Sequence, residues 1–86
     1  MIQEIINRLD EISANKDKEP FHVLGGYIVG TTIVRDDIEE LDEQYPGLEL
    51  IGDIGFELET ISNDDEYAAL LFGQFQNALS YLRESL

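Results

Sequence analysis

Carboxylates are the side chains of this sequence that could do chemistry, and most of them lie in one segment. Between Asp36 and Leu82 the chain runs 47 residues without a Lys or Arg. This span carries 13 acidic residues, which are Asp36, Asp37, Glu39, Glu40, Asp42, Glu43, Glu49, Asp53, Glu57, Glu59, Asp64, Asp65 and Glu66. Carboxylates at this density can attract a basic protein surface, bind divalent cations or, in pairs, act as general acid and base.

The sign of the charge limits the classes of partner. The chain has 86 residues and a formal net charge of −14, of which the acidic span contributes −13. Such a field repels nucleic acid and anionic membrane surfaces and attracts a basic protein surface. We therefore expect a basic protein as partner and neither nucleic acid nor membrane. Mimicry of nucleic acid, or inhibition of a protein that binds it, is one form that such docking could take.

The densest part of the acidic span lies at residues 36–43. Like charges three or four residues apart on a helix, such as Glu39 and Glu43, cost about 0.2–0.5 kcal/mol per pair. The helix dipole offsets this cost only in the first turn. The predicted partner-binding residues are Asp36, Asp37, Glu39, Glu40, Asp42, Glu43, Glu57 and Glu59. The alternative is that these carboxylates only keep the protein hydrated, as in a host whose proteins are all acidic.

A second functional class is binding of a divalent cation. Asp36, Asp37 and Glu40 would form a loose site if Asp64 or Asp65 approached them from a second junction between a strand and a helix. The spacing of an EF-hand loop is absent, and one His without Cys argues against zinc. Calcium is thus the one cofactor that the sequence suggests, and a calcium-binding protein is the alternative function; otherwise we expect no cofactor.

Catalysis is the third class, and the sequence favours it least. Glu57 and Glu59 would share one face of a strand, but their alternation with Phe56 and Leu58 is typical of a solvated strand face. The Ser and Thr residues have only His22 as a partner for nucleophilic chemistry. We therefore predict that the protein is not an enzyme.

Three segments with helical spacing position the acidic residues. Residues 2–14 repeat Ile and Leu on one face, and residues 64–85 have the longest apolar series at three- and four-residue spacing. Residues 36–44 form a shorter helix that ends at Pro46–Gly47. Acidic residues at the start of the last helix also suit its dipole and cap its first turn.

Two further segments are typical of strands. Residues 21–34 are rich in β-branched and aromatic residues and are apolar on both alternations, with Gly25–Gly26 suited to a hairpin turn and Gly30 to a bulge. Residues 48–61 contain Gly52–Asp53, which suits a second hairpin turn.

Together these segments predict the fold class. We expect a single globular α+β domain over residues 1–86, in the order αββαββα or αβαββα, with a mainly antiparallel sheet and helices packed against it. Thr32–Ile33 and the acids after it recur 28 residues later as Thr60–Ile61 and Asp64–Asp65, which agrees with two ββα units.

Association and location are the remaining expectations. The last predicted helix is apolar over more than one face around Phe72, which predicts a homodimer through Phe72 and its neighbours. The chain starts without an apolar run of signal-peptide type. The longest uncharged stretch of the chain, residues 20–34, has 15 residues, fewer than the roughly 20 that span a bilayer. We expect a soluble cytoplasmic protein.

Overall fold

The computed structural model describes residues 2–61 and 65–85, and its regular structure there is entirely helical. The helices are α1 (Ile2–Ala14), α2 (Phe21–Thr31), α3 (Ile38–Gln44), α4 (Leu48–Ile61) and α5 (Asp65–Glu84). No strand occurs in these residues. The prediction of an α+β fold with an antiparallel sheet, in either strand order, is therefore wrong.

The segments predicted as helices are close to the observed ones. The first predicted helix has the bounds of α1, and the last ends one residue beyond α5, while its predicted first residue, 64, lies outside the described residues. α3 begins two residues later than predicted and ends at the predicted residue. In α1 the residues Ile5, Ile6, Leu9 and Ile12 are buried. Apolar residues on one face therefore decide these helices, as their spacing predicts.

The segment predicted as the first hairpin is α2. Its buried side is formed by Leu24, Gly25 and Ile28, with Thr32 just beyond its end, and these residues recur at helical spacing. Pro20 stands before the first turn with extended backbone angles, φ −62° and ψ 150°. Gly25–Gly26 form no turn, and Gly30 lies in the same continuous helix. Burial on several sides outweighs the β preference of the branched residues.

The second predicted hairpin is α4. Leu48, Ile51, Ile54 and Leu58 are buried at three- and four-residue spacing, and Gly52–Asp53 lie inside the helix. The glycine that does form a turn is Gly47, with a φ of 104°. The amide of Leu48 donates to the carbonyl oxygen of Tyr45 at 3.4 Å, so Pro46–Gly47 join α3 to α4 in a tight turn.

Glycines bring α2 and α4 into direct backbone contact. A Cβ atom at Gly25 would lie 2.6 Å from the amide nitrogen of Glu59 and 2.7 Å from the carbonyl oxygen of Gly55. At the other end of the contact, a Cβ at Gly52 would lie 2.8 Å from Oγ1 of Thr32. The order of these contacts shows that the two helices run antiparallel. Residues without side chains permit this close approach.

The remaining helices surround this pair. α5 packs on α4, α1 packs on α2 and α5, and α3 packs on α4. Phe72 of α5 is fully buried, with its ring centroid 5.6 Å from that of Phe21 and 5.2 Å from that of Phe75. The core thus takes up the side chain that was predicted to meet a second copy, because Phe72 points from α5 toward Phe21 of α2. The homodimer itself stays a prediction.

A helix that spans a bilayer must be both long and apolar. None of the helices in the described parts of the chain meets both conditions.

Candidate partner-binding face

The acidic residues of α3 lie at the edge of the molecule. None of the seven residues of α3 is buried, and Ile38 and Leu41, with Tyr45 after the helix, pack against the core with partly buried side chains. The opposite side of the segment carries four exposed carboxylates, which are Asp36, Glu39, Glu40 and Glu43. α3 is therefore an acidic helix held by one apolar side, and four of the six predicted partner-binding residues in this segment face solvent.

Asp37 is engaged within the chain. Nε and Nη2 of Arg35 donate to its two carboxylate oxygens at 3.0 and 3.1 Å. This hydrogen-bonded pair lowers the pKa of Asp37 and raises the pKa of Arg35. Because Asp37 occupies the guanidinium, the one cation next to α3 does not offset the carboxylates that follow it.

Asp42 has a structural role too. Its Oδ1 accepts a hydrogen bond of 2.9 Å from the backbone amide of Glu49, in the first turn of α4. That amide belongs to the first turn, where N–H groups lack partners within the helix. Asp42 therefore satisfies one of them and ties α3 to α4, so its carboxylate is less available to a partner than those of Glu39 and Glu40.

Glu57 and Glu59 do not share one face, as the strand prediction placed them, and their part in the acidic face stays a prediction. Two residues apart on a helix, they point about 200° apart, whereas on a strand they would share one face. Glu57 faces α5, where it accepts a hydrogen bond of 3.1 Å from the hydroxyl of Tyr67. This bond and the charge of Glu57 raise the pKa of Tyr67. The carboxylate of Glu59 instead lies beside Gly26 of α2.

The predicted calcium site is only partly covered by the structure. Within residues 2–61 and 65–85, no group of three or more His, Asp or Glu side chains is placed to hold a metal ion. Asp64 and the side chain of Asp65 lie outside the described residues. Of the other predicted ligands, Asp37 pairs with Arg35 while Asp36 and Glu40 are exposed. Calcium binding stays a prediction.

The arginines away from α3 are associated with α1. Arg8 pairs with Glu11 at 3.0 Å and lies over the ring of Tyr27, 5.4 Å from its centroid. Arg83 of α5 pairs with Asp10 of α1. Lys16 and Lys18 follow α1 directly in the chain. Apart from Arg35, the cations of the chain therefore belong to α1, follow it in the chain or pair with it.

A shallow cavity lies between α1 and the end of α2. Its volume is about 220 Å³, and its lining residues are Glu4, Ile5, Arg8, Gly30, Thr31 and Arg35. Both of its guanidinium groups already pair with carboxylates, and the Thr31 hydroxyl donates to the carbonyl oxygen of Tyr27 at 2.8 Å. The cavity therefore presents no activated nucleophile with a base beside it.

The structure also reveals an exposed apolar surface that the strand prediction concealed. Ile33, Val34, Leu50 and Phe56 are exposed although they are large and apolar. In the predicted sheet, the apolar side chains of these strands would have pointed toward the core. A helical projection of residues 48–61 would have shown that Phe56 lies away from the buried Leu58 and Ile54.

Neither a family model nor a curated protein nor a solved structure matches this chain. Similarity therefore assigns it no family, and charge, exposure and helix packing carry the inference of function.

Proposed function

We propose that this protein is a non-enzymatic interaction module that presents the carboxylates of α3 to a basic surface of a protein partner. The carboxylates that serve this purpose are Asp36, Glu39, Glu40 and Glu43, which are exposed. Asp37 and Asp42 support the same face by fixing the start of α3 and its attachment to α4.

The single observation that carries this proposal is the position of α3 in the fold. Its carboxylates cost stability through mutual repulsion, and Arg35, the cation that precedes them in the chain, is taken by Asp37. A helix held on one side only can keep such a composition, since the exposed side chains do not contribute to the core. Positive charge that approaches this face relieves the repulsion among the carboxylates.

The mechanism is electrostatic steering followed by docking. The net charge of −14 attracts a basic protein from a distance, and the exposed carboxylates of α3 set its orientation at short range. A partner that binds nucleic acid suits this description, because its surface is basic where it contacts phosphates. Added salt weakens such an encounter by screening the exposed charges.

Affinity for a basic probe tests the proposal. We expect an oligolysine peptide to bind the protein, and the triple variant Glu39→Gln/Glu40→Gln/Glu43→Gln to bind it about tenfold more weakly, which corresponds to about 1.4 kcal/mol. Fluorescence anisotropy at several salt concentrations measures both the affinity and its salt dependence.

The matched control removes the same charge elsewhere. Asp17→Asn/Glu19→Gln/Glu84→Gln also neutralises three acidic groups, but none of them belongs to α3. It should weaken binding much less than the α3 triple. Equal weakening by the two triples would show that total charge alone attracts the peptide, and affinity unchanged in molar salt would remove the electrostatic basis altogether.

A further inference from the structure

The outer side of the α2–α4 contact carries a small apolar surface. Ile33 and Val34, at the end of α2, are 41% and 71% exposed, and Phe56 of α4 is 54% exposed. A Cβ at Gly52 would lie 2.9 Å from Cγ1 of Ile33, so the Ile33 side chain lies directly over Gly52. Gly52 and Phe56 are one helical turn apart on α4, so Ile33 and Phe56 lie on adjoining turns at this outer side of the contact. We call Ile33, Val34 and Phe56 the apolar patch.

Acidic residues flank this apolar patch. Asp53 and Glu59 stand three residues before and after Phe56, so they lie on neighbouring turns of α4 on the same side. Both are exposed. An apolar side chain between two carboxylates is complementary to an apolar side chain between two cations. This pattern lies on α4 and includes none of the carboxylates of α3.

Charge complementarity indicates which kind of partner binds the apolar patch. A second copy of the chain would bring another −14 and place its own Asp53 and Glu59 against those of the first. An anionic membrane would be repelled for the same reason. A helix that presents apolar residues on one side and Lys or Arg beside them meets both parts of the surface.

We infer that the apolar patch seats the apolar side of a basic amphipathic helix of a protein partner, whose Lys or Arg residues pair with Asp53 and Glu59. The inference rests on the proposed function, because it takes the partner to be basic. It adds that affinity comes from an apolar anchor at Phe56, whereas α3 contributes attraction and orientation. Exposed aromatic side chains are frequent anchors of this kind.

Two synthetic peptides test whether Phe56 provides the anchor while α3 provides attraction and orientation. The first is a helical peptide with Leu at positions i, i+3, i+4 and i+7 and Lys at its other exposed positions. The second has the same Lys residues with every Leu replaced by Gln. We expect the protein to bind the first peptide at least about tenfold more tightly than the second. Titrations are made with the wild type, Phe56→Gln and the α3 triple.

Tyr81→Gln is the matched control for Phe56→Gln. Tyr81 is an aromatic residue that is 67% exposed and belongs to α5, whereas Phe56 belongs to α4. Phe56→Gln should bind the Leu/Lys peptide about as weakly as the Gln/Lys peptide, while Tyr81→Gln should keep the wild-type difference. Thermal unfolding of both variants checks that each remains folded, as expected for exposed positions.

The outcomes separate this inference from the proposed function. If both peptides bind the wild type equally and Phe56→Gln changes neither affinity, the apolar anchor is wrong, although loss of affinity in the α3 triple would still support the acidic face. If Phe56→Gln weakens binding and the α3 triple does not, the anchor stands and the role of α3 fails. Sedimentation equilibrium adds one further outcome: a dimer that Phe56→Gln dissociates would overturn the inference, because a second copy would then occupy the surface.

Discussion

α2 and α3 pack on the same helix, α4, in opposite ways. α2 meets α4 through backbone, with Gly25 against the amide of Glu59 and the carbonyl of Gly55. α3 meets α4 through partly buried side chains and the hydrogen bond from the Glu49 amide to Asp42. The first contact leaves no space for even one added carbon atom, whereas the second leaves every residue of α3 at least partly accessible.

This difference separates the structural and functional tasks of the chain. A contact between backbones fixes the residue types on both helices, because any larger side chain must displace the neighbouring chain. A contact along one side of a short helix fixes only its apolar residues, which here are Ile38 and Leu41. The exposed positions of α3 are therefore available for charge, and the proposed interaction face lies on the part of the fold that tolerates it.

Truncation of an apolar side chain should give the largest contrast between the two helices. Leu24 of α2 is fully buried, so Leu24→Ala should lower the free energy of unfolding by about 2–5 kcal/mol. Leu41→Ala in α3 should cost clearly less, because Leu41 is only partly buried and the site can relax. Urea denaturation of both variants measures the difference, and similar losses would mean that α3 belongs to the same tight core.

A single methyl group at the α2–α4 contact should cost nearly as much. Gly25→Ala should lower the free energy of unfolding by about 2–3 kcal/mol, because the backbone of α4 cannot move away. Gly30→Ala is the matched control on the same helix, where an added Cβ meets nothing within 4 Å. It should instead stabilise the protein by about 0.5–1 kcal/mol through helix propensity. Two glycines that respond alike would disprove the close contact.

The turn between α3 and α4 should show an intermediate effect of a different origin. Gly47 has a φ of 104° and open space around it, so the cost of Gly47→Ala comes from backbone strain alone. We expect a loss of about 1–2 kcal/mol in the free energy of unfolding. Amide chemical shifts should change in α3 and the first turn of α4 and remain constant in α2, and changes spread over α2 would argue against a local effect.

Neutralising a charge at the end of α3 should give a small gain in stability. Glu43→Gln removes repulsion with Glu39 and an unfavourable interaction with the helix dipole, which together amount to about 0.5 kcal/mol at low salt. Glu39→Gln should gain less, because Glu39 lies in the first turn, where the dipole favours negative charge. The difference should disappear in high salt, and a loss of stability on Glu43→Gln would reveal a structural role for this carboxylate.

The smallest expected effect is the pH dependence of the Arg35–Asp37 pair. Because the guanidinium lowers the pKa of Asp37, the pair stabilises the fold fully above the ordinary pKa of an aspartate. That contribution is lost as the pH falls through the lowered pKa of the folded state. Carbon-13 NMR titration should show the pKa of Asp37 returning toward its ordinary value in Arg35→Gln. An Asp37 titration that is the same in both proteins would show that the pair does not form in solution.

The sequence by itself determined the amphipathic helices α1 and α5, the end of the acidic helix before Pro46–Gly47, and the excess of negative charge. In α1 and α5 the apolar residues occupy one main side, so the helical period is visible without knowledge of the neighbours. The end at Pro46–Gly47 is equally local, because proline and glycine favour this turn through their own backbone preferences.

Only the tertiary structure decided the identity of α2 and α4 and, with it, the arrangement of the predicted site. Residues 21–34 are apolar on every side, and such a run fits a buried strand as well as a buried helix. Gly25 and Gly55 resemble turn residues locally. In the fold, however, each leaves free the space that a side chain would need between α2 and α4. The separation of Glu57 from Glu59 and the burial of Phe72 follow from the same packing. A contact with a distant part of the chain leaves no local pattern, so physical reasoning from neighbouring residues could not find it.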